Sequence, residues 1–517
     1  MSAVLDELAS LKSQFNPAAA GQVAELLRRL QRARFDAPGD LVRLHEIVLF
    51  LRAYPHSPET LRLADQVLAS FAERLDGQDA DSFDEPEISG MAGTAVSSNF
   101  SFEIARGLAA RYRQSLHIDW DNYPHPERLG AALARAFPMA AEQWTVEPNV
   151  DWRAWFTSSG LTLAWLLGHL DPLTYDLLEI PLCWDLGNSP ASRTAARLPF
   201  RRAFCHTGPL LRRSDVSLDA ELAAAPVPVV KLAPARARTI LNRIADSSAA
   251  RYRELWGFTH PDAAHVYHAA LGRGTDFFFF GVPKAFRLPL RAYHCGMFVK
   301  NGVPMGYVET LSLFERAEVG FNLYYTFREG ETAWLYARML KVLHEHLGVT
   351  AFSIDPYQIG HDNEEAIASG AFWFYRKLGF RPASAGVLRL TQREERRIIA
   401  TPGYRTPAPV LRRLAHAPLI YGPPEADAWG EFSLERLAQR AGAQIVPGFD
   451  RDSLVRAKNA PEERSYLRLL QHDPDLRRRV VTWGAKPGSG RGKRSSISIK
   501  PAPRPADNLG HDGTPSR

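Results

Sequence analysis

Residues 371–382 read Ala371-Phe372-Trp373-Phe374-Tyr375-Arg376-Lys377-Leu378-Gly379-Phe380-Arg381-Pro382. The run is predicted to close a helix over 364–378 that stops at Gly379. Its start is written in Asp362-Asn363-Glu364-Glu365, with Asp362 as N-cap and Glu365 at the capping-box position. Working outward, a strand over 350–354 precedes this helix and a last strand near 386–390 follows it. Before them comes a helix over 331–347. Its polar stripe of Arg338, Lys341 and Glu345 is narrow, which implies burial against a sheet.

Further upstream lie four strand-like runs: 276–282, with four consecutive Phe, then 292–300, 305–314 and 319–327. Asn301-Gly302 joins the second and third as a hairpin turn, because both residues tolerate positive φ. Ala237, Leu241, Ile244, Ser248, Tyr252 and Leu255 fall at helical spacing and end near Gly257. The order helix, strands, helix, strand, helix, strand predicts an α/β (α+β) domain over 231–395, a mixed sheet with flanking helices.

The rest of the 517 residues frames that domain. Residues 1–135 read as helical. In the clearest hairpin, Leu41, Leu44, Val48 and Leu51 stripe one helix, and Ser57 caps the next with Pro58 as first helical residue. Residues 136–230 are mixed, Pro-broken connecting sequence, 396–483 is helix-rich, and 484–517 is a Gly/Ser/Pro-rich tail too poor in large apolar residues to fold. That tail carries seven basic and two acidic side chains, so it holds nearly all of the net charge of +6. The near-neutral body argues against a nucleic-acid-binding protein, leaving at most a weak polyanion contact through the tail. Three cysteines with no CxxC pair exclude a disulfide framework or a cysteine-rich zinc module. The N-terminus lacks a basic segment followed by an apolar run, and no apolar stretch approaches the ~20 residues that span a bilayer, so a cytoplasmic location without membrane contact is expected.

The 371–382 run resembles the closing motif of the GNAT superfamily of N-acyltransferases, A-x-x-F-Y-x-K-x-G-F, at every named position. The likeness covers about residues 236–395. It implies binding of acetyl-CoA or another acyl-CoA where two adjacent parallel strands diverge, with the pyrophosphate on amides at the start of the next helix. The strands at 305–314 and 319–327 would be that pair. The anion loop would be Arg328-Glu329-Gly330-Glu331-Thr332-Ala333, which departs from the family pattern Q/R-x-x-G-x-G/A by placing Glu331 at the central Gly. A carboxylate about 6 Å from a phosphate would cost roughly 3 kcal/mol at an effective dielectric near 20. Asn363 matches the family's Asn before the last helix only if about five residues are inserted.

The resemblance makes Tyr375 the candidate general acid beside the thioester sulfur and Glu309 the candidate base for the acceptor amine. His294, Asp355 and His361 are weaker alternatives. His265 and His268 could share a helix face, but no thiol or acid stands at a metal-site spacing, and none is expected. The leading function is an acyl-CoA-dependent N-acyltransferase acting on an amine that the sequence leaves open. A non-catalytic scaffold with a degenerate GNAT fold competes with it, and a transferase using an aminoacyl-tRNA donor stands third.

Overall fold

The computed structural model describes residues 2–423 and 434, apart from 32, 36, 76, 86, 140, 143–159, 289, 290, 314 and 315. The chain opens with α1 (Ser2–Leu11), α2 (Pro17–Leu30), α3 (Pro38–Ala53), α4 (Pro58–Ala69) and α5 (Phe71–Arg74). Asn16 and Ser57 accept the amides of Ala19 and Thr60, each followed by a proline that loses nothing at the first helical position. A second unit follows, with β1 (Ala95–Ser98), α6 (Phe102–Arg111), β2 (Leu116–Ile118), α7 (Pro126–Ala136), α8 (Leu163–His169), α9 (Pro172–Leu178) and β3 (Leu182–Asp185). Its three-stranded sheet, ordered β1-β3-β2, is antiparallel and packs around Trp184 in a core that runs from Val96 to Ala191, across the expected limit at 135, and takes in Ala249 and Ala250.

The remaining elements build one large sheet. They are α10 (Leu218–Ala223), β4 (Val229–Lys231), α11 (Pro234–Ala249), α12 (Trp256–Thr259), β5 (Val266–Gly272), β6 (Thr275–Gly281), β7 (Ala292–Lys300), β8 (Val303–Leu313), β9 (Arg316–Leu323), α13 (Thr332–Leu347) and β10 (Ala351–Ile354). Then come α14 (Glu364–Ser369), α15 (Ala371–Lys377), β11 (Arg381–Pro382), α16 (Ala385–Ala400), α17 (Ala408–Leu414) and β12 (Leu419–Tyr421). Nine strands lie in the order β11-β12-β10-β9-β8-β7-β6-β5-β4. The chain is thus mixed α/β with a large mixed sheet. The four-Phe run shows why β6 is central: Phe277 and Phe279 join the core under α13, whereas Phe278 and Phe280 join the core under α11. Burying one such ring contributes about 1.5–3 kcal/mol. Helices α1 to α4 share the α13-side core, so the N-terminal region is packed onto the sheet.

Several expectations need correction. The runs at 305–314 and 319–327 form the antiparallel hairpin β8/β9, since a connection of a few residues cannot return a strand in parallel. The parallel pair is β9/β10, joined through α13. The stretch 386–390 opens the helix α16, where Leu390, Thr391 and Glu394 are buried at helical spacing, and the last strands are β11 and β12. Gly370, at φ 68°, splits the expected helix over 364–378 into α14 and α15, and the N-cap is Asn363, because Asp362 takes φ 52°. The helix begun at Pro234 ends at Ala249, before Tyr252 at φ 53°. His268 lies on strand β5 and His265 in the turn before it, so they share no helix face. The turn Asn301-Gly302 has φ of 49° and 85°, as its residues require. The tail over 484–517 and, apart from Leu434, residues 424–483 lie outside the described residues.

Candidate functional site

Strands β9 and β10 are paired only from Arg316↔Ala351 to Glu318↔Ser353; beyond that β10 ends and β9 continues to Leu323 against β8 alone. Half of β9 therefore presents a bare edge, whose backbone groups must find partners. Two side chains supply them. Gln358, on the turn after β10, accepts the Phe321 amide with Oε1 at 3.3 Å, and its Nε2 lies 2.9 Å from where a Gly320 Cβ would stand. Arg328 donates to the Leu323 carbonyl at 3.4 Å. Asp355 fixes the Gln358 turn by accepting the Tyr357 amide at 2.8 Å, which makes it a structural cap.

The slot between the strands leads to the start of α13, where the amides of the first helical turn lack intrahelical acceptors. Arg328 pairs with Glu365 at 2.6 Å and is 41% exposed; Glu329 pairs with Lys12 at 2.8 Å. Glu331 does not face outward, as repulsion of a phosphate would require. Its carboxylate is 2% exposed and meets Arg273 at 2.5 Å and Lys300 at 3.4 Å, with the Leu211 amide donating at 3.2 Å. Lys300, fully buried over the rings of Tyr54 and Phe204, has its pKa lowered by burial to about 8, with Glu331 pulling the other way. A Cβ on Gly330 would overlap the Tyr54 hydroxyl, so this glycine serves close contact with the end of α3. Thr332 donates its hydroxyl to the Arg328 carbonyl at 3.1 Å, and Ala333 is buried. Asn363 accepts the Ala366 amide at 3.1 Å and caps α14, and the Arg328–Glu365 pair ties that helix to the loop.

Glu309 and Tyr375 flank the slot from opposite faces of the sheet. Glu309 stands opposite Cys295 on β7 and Gly320 on β9, half-buried, and its Oε1 accepts the Tyr293 hydroxyl. Tyr307 accepts from Asn322 at 3.2 Å on the same face. Tyr375 is buried on the Phe321 side, ringed by Tyr336 at 5.5 Å and Phe380 at 5.9 Å, and burial pushes its hydroxyl well above the usual tyrosine range. A hydroxyl held so high is poorly matched to giving its proton fully away and better suited to donating a hydrogen bond. His294 is buried and its pKa is lowered to about 3, by burial first and by Arg287 second, so it stays neutral. His361 packs edge-on to His416 at 5.2 Å. His265 and His268 are each engaged by a single acid, Asp262 at 2.7 Å and Asp276 at 2.6 Å. Among the described residues no three His, Cys, Asp or Glu side chains converge on a common point, and no helix is long and apolar enough to cross a membrane.

Gln358, Tyr293 and Tyr54 were not singled out by the sequence. Gln358 alone carries a signal: it lies just past the carboxyl end of a strand, where open sheets bind ligands. Compared with known proteins, the chain matches no family model, no curated protein and no solved structure.

Proposed function

We propose that the chain is an acyl-CoA-dependent N-acyltransferase of the GNAT type. One observation carries the reading: the parallel pair β9/β10 diverges and α13 begins just beyond the opening, which is the arrangement the resemblance calls for. The bare edge of β9 fits an amide-bearing chain, since Gln358 already satisfies it with an amide. Arg328 and the first amides of α13 suit a phosphate group, and the inward turn of Glu331 removes the charge that would oppose one.

An acyl-CoA would supply the thioester. Glu309 takes the proton of the incoming ammonium, with Tyr293 holding one carboxylate oxygen and leaving the other for the substrate. Tyr375 provides a hydrogen bond from its enclosed hydroxyl to charge developing on sulfur. The scaffold reading draws on a different observation, the closure of the helix start by Tyr54 against Gly330.

Thermal denaturation of the full chain with millimolar acetyl-CoA separates the two. A ligand at a hundred times its Kd stabilises by about 2.7 kcal/mol and raises the midpoint by several degrees. Absence of any shift with acetyl-CoA and with a longer acyl-CoA would hand the chain to the scaffold reading.

A further inference from the structure

A hollow of about 320 Å³ opens between the second unit and α12. Trp256, His260 and Phe286 form an aromatic wall: His260 lies flat on Phe286, with centroids 4.4 Å apart and planes 4° apart, and edge-on to Trp256 at 4.1 Å. Trp256 Nε1–H donates to the Phe286 carbonyl at 2.5 Å, fixing the wall. Trp256 and Phe286 are nonetheless 52% and 45% exposed, which leaves ring surface unclaimed by the fold.

The rest of the lining sets three carboxylates, of Glu103, Asp176 and Glu254, among Phe102, Pro172 and two hydroxyl side chains. Asp176 accepts the Phe102 amide with Oδ1 at 2.6 Å, and Glu254 accepts the Ser101 amide at 3.2 Å. Among the described residues neither carboxylate has a cation within ion-pair distance. Glu103, also in the lining, is paired with Arg106. Two carboxylates held beside exposed aromatic faces attract a cation twice over, by charge and by the ring quadrupole.

We propose that this hollow binds an alkylammonium group, and that its ligand is a small linear polyamine. A single concave pocket near the lower size limit of small-molecule sites favours such a ligand over a basic peptide, which would call for a groove. The position adds a role. Gly257, next to Trp256, packs so tightly on Cys295 that a Cβ there would overlap the sulfur, and Cys295 stands opposite Glu309. A chain carrying several amines could anchor one in the pocket and reach toward Glu309 with another. That second step rests on the acyltransferase reading, whereas the binding itself does not.

The test is calorimetric titration of the full chain with spermidine in the absence of acyl-CoA, so its outcome is independent of the acetyl-CoA melt. Saturable binding is expected, weakened about tenfold or more by Glu254→Gln and again by Trp256→Ala. The glutamine can still accept the Ser101 amide, so that variant keeps the fold, which its melting midpoint checks. No saturable heat up to 10 mM, on the order of the weakest useful affinities, overturns the proposal. Equal binding by either folded variant overturns it as well, and tighter binding of tetralysine than of spermidine would replace the polyamine with a basic peptide.

Discussion

The large sheet meets its two neighbours in opposite ways. Against α1 to α4 the seam is sealed: one apolar core runs across it, and the charges inside it, Lys300, Glu331, Arg193 and Glu46, are paired and buried or nearly so. Against the second unit the cores stay apart except at the end of α11, where Ala249 and Ala250 join the second unit's core, and both hollows lie along that seam. One is acidic and aromatic; the other, of about 250 Å³, is lined by Arg111, Arg197, Arg243 and Asp246. The sealed seam fixes the loop before α13, and the open one leaves room for ligands. Charge is abundant at both, and in the arginine-lined hollow it too is partnered, Arg111 with Asp246 at 2.5 Å and Arg197 with Asp65 at 2.8 Å, so the difference lies in the apolar packing, continuous across one seam and nearly divided at the other.

The sharpest way to break this contrast is Glu331→Gly, which removes the carboxylate that Lys300 and Arg273 share. It would leave the buried Lys300 beside the part-exposed Arg273 with no carboxylate between them, and a stability loss of about 3–5 kcal/mol is expected by denaturant titration. A variant as stable as the parent would show the cluster to be dispensable. Next comes acid. Burial alone would raise the Glu46 carboxyl, but the charge of Arg193 at 2.7 Å and bonds from His45 and Thr326 hold it at about 2, below its ordinary 4.5. Its contribution, about 3 kcal/mol, is therefore complete above pH 4.5 and drains away as the pH falls toward 2. Melting curves across that window should fall more steeply for the parent than for Glu46→Gln; parallel curves would contradict the assignment. Smallest of all, Asn242→Ala on the rim of the arginine-lined hollow should change stability by no more than about 0.5 kcal/mol. A larger loss would mean that the open seam is also load-carrying.

Local chemistry made much of the sheet legible. The β7–β8 hairpin follows from Asn301-Gly302, the α4 start from Ser57-Pro58, and the burial of α13 from its narrow polar stripe. What local pattern could not supply was direction and partner. Adjacency in sequence points to β8/β9 as the diverging pair, whereas the parallel partner of β9 arrives only after sixteen helical residues. Glu331 illustrates the same limit: as a string its carboxylate belongs beside a phosphate, and Arg273 and Lys300, both far upstream, turn it inward. The stretch 386–390 reads locally as a strand, and only the burial of Leu390, Thr391 and Glu394 on one face reveals the helix that continues past it.

Gln358 has a thermodynamic consequence for anything that enters the slot. It is tethered four residues beyond Ile354, so its amide meets the β9 edge at the high effective concentration of a short linker, millimolar or more. The protein thus carries its own competitor. If the amide occupies the edge nine-tenths of the time, an entering chain binds about tenfold more weakly than its contacts alone would give, because only the open fraction is competent.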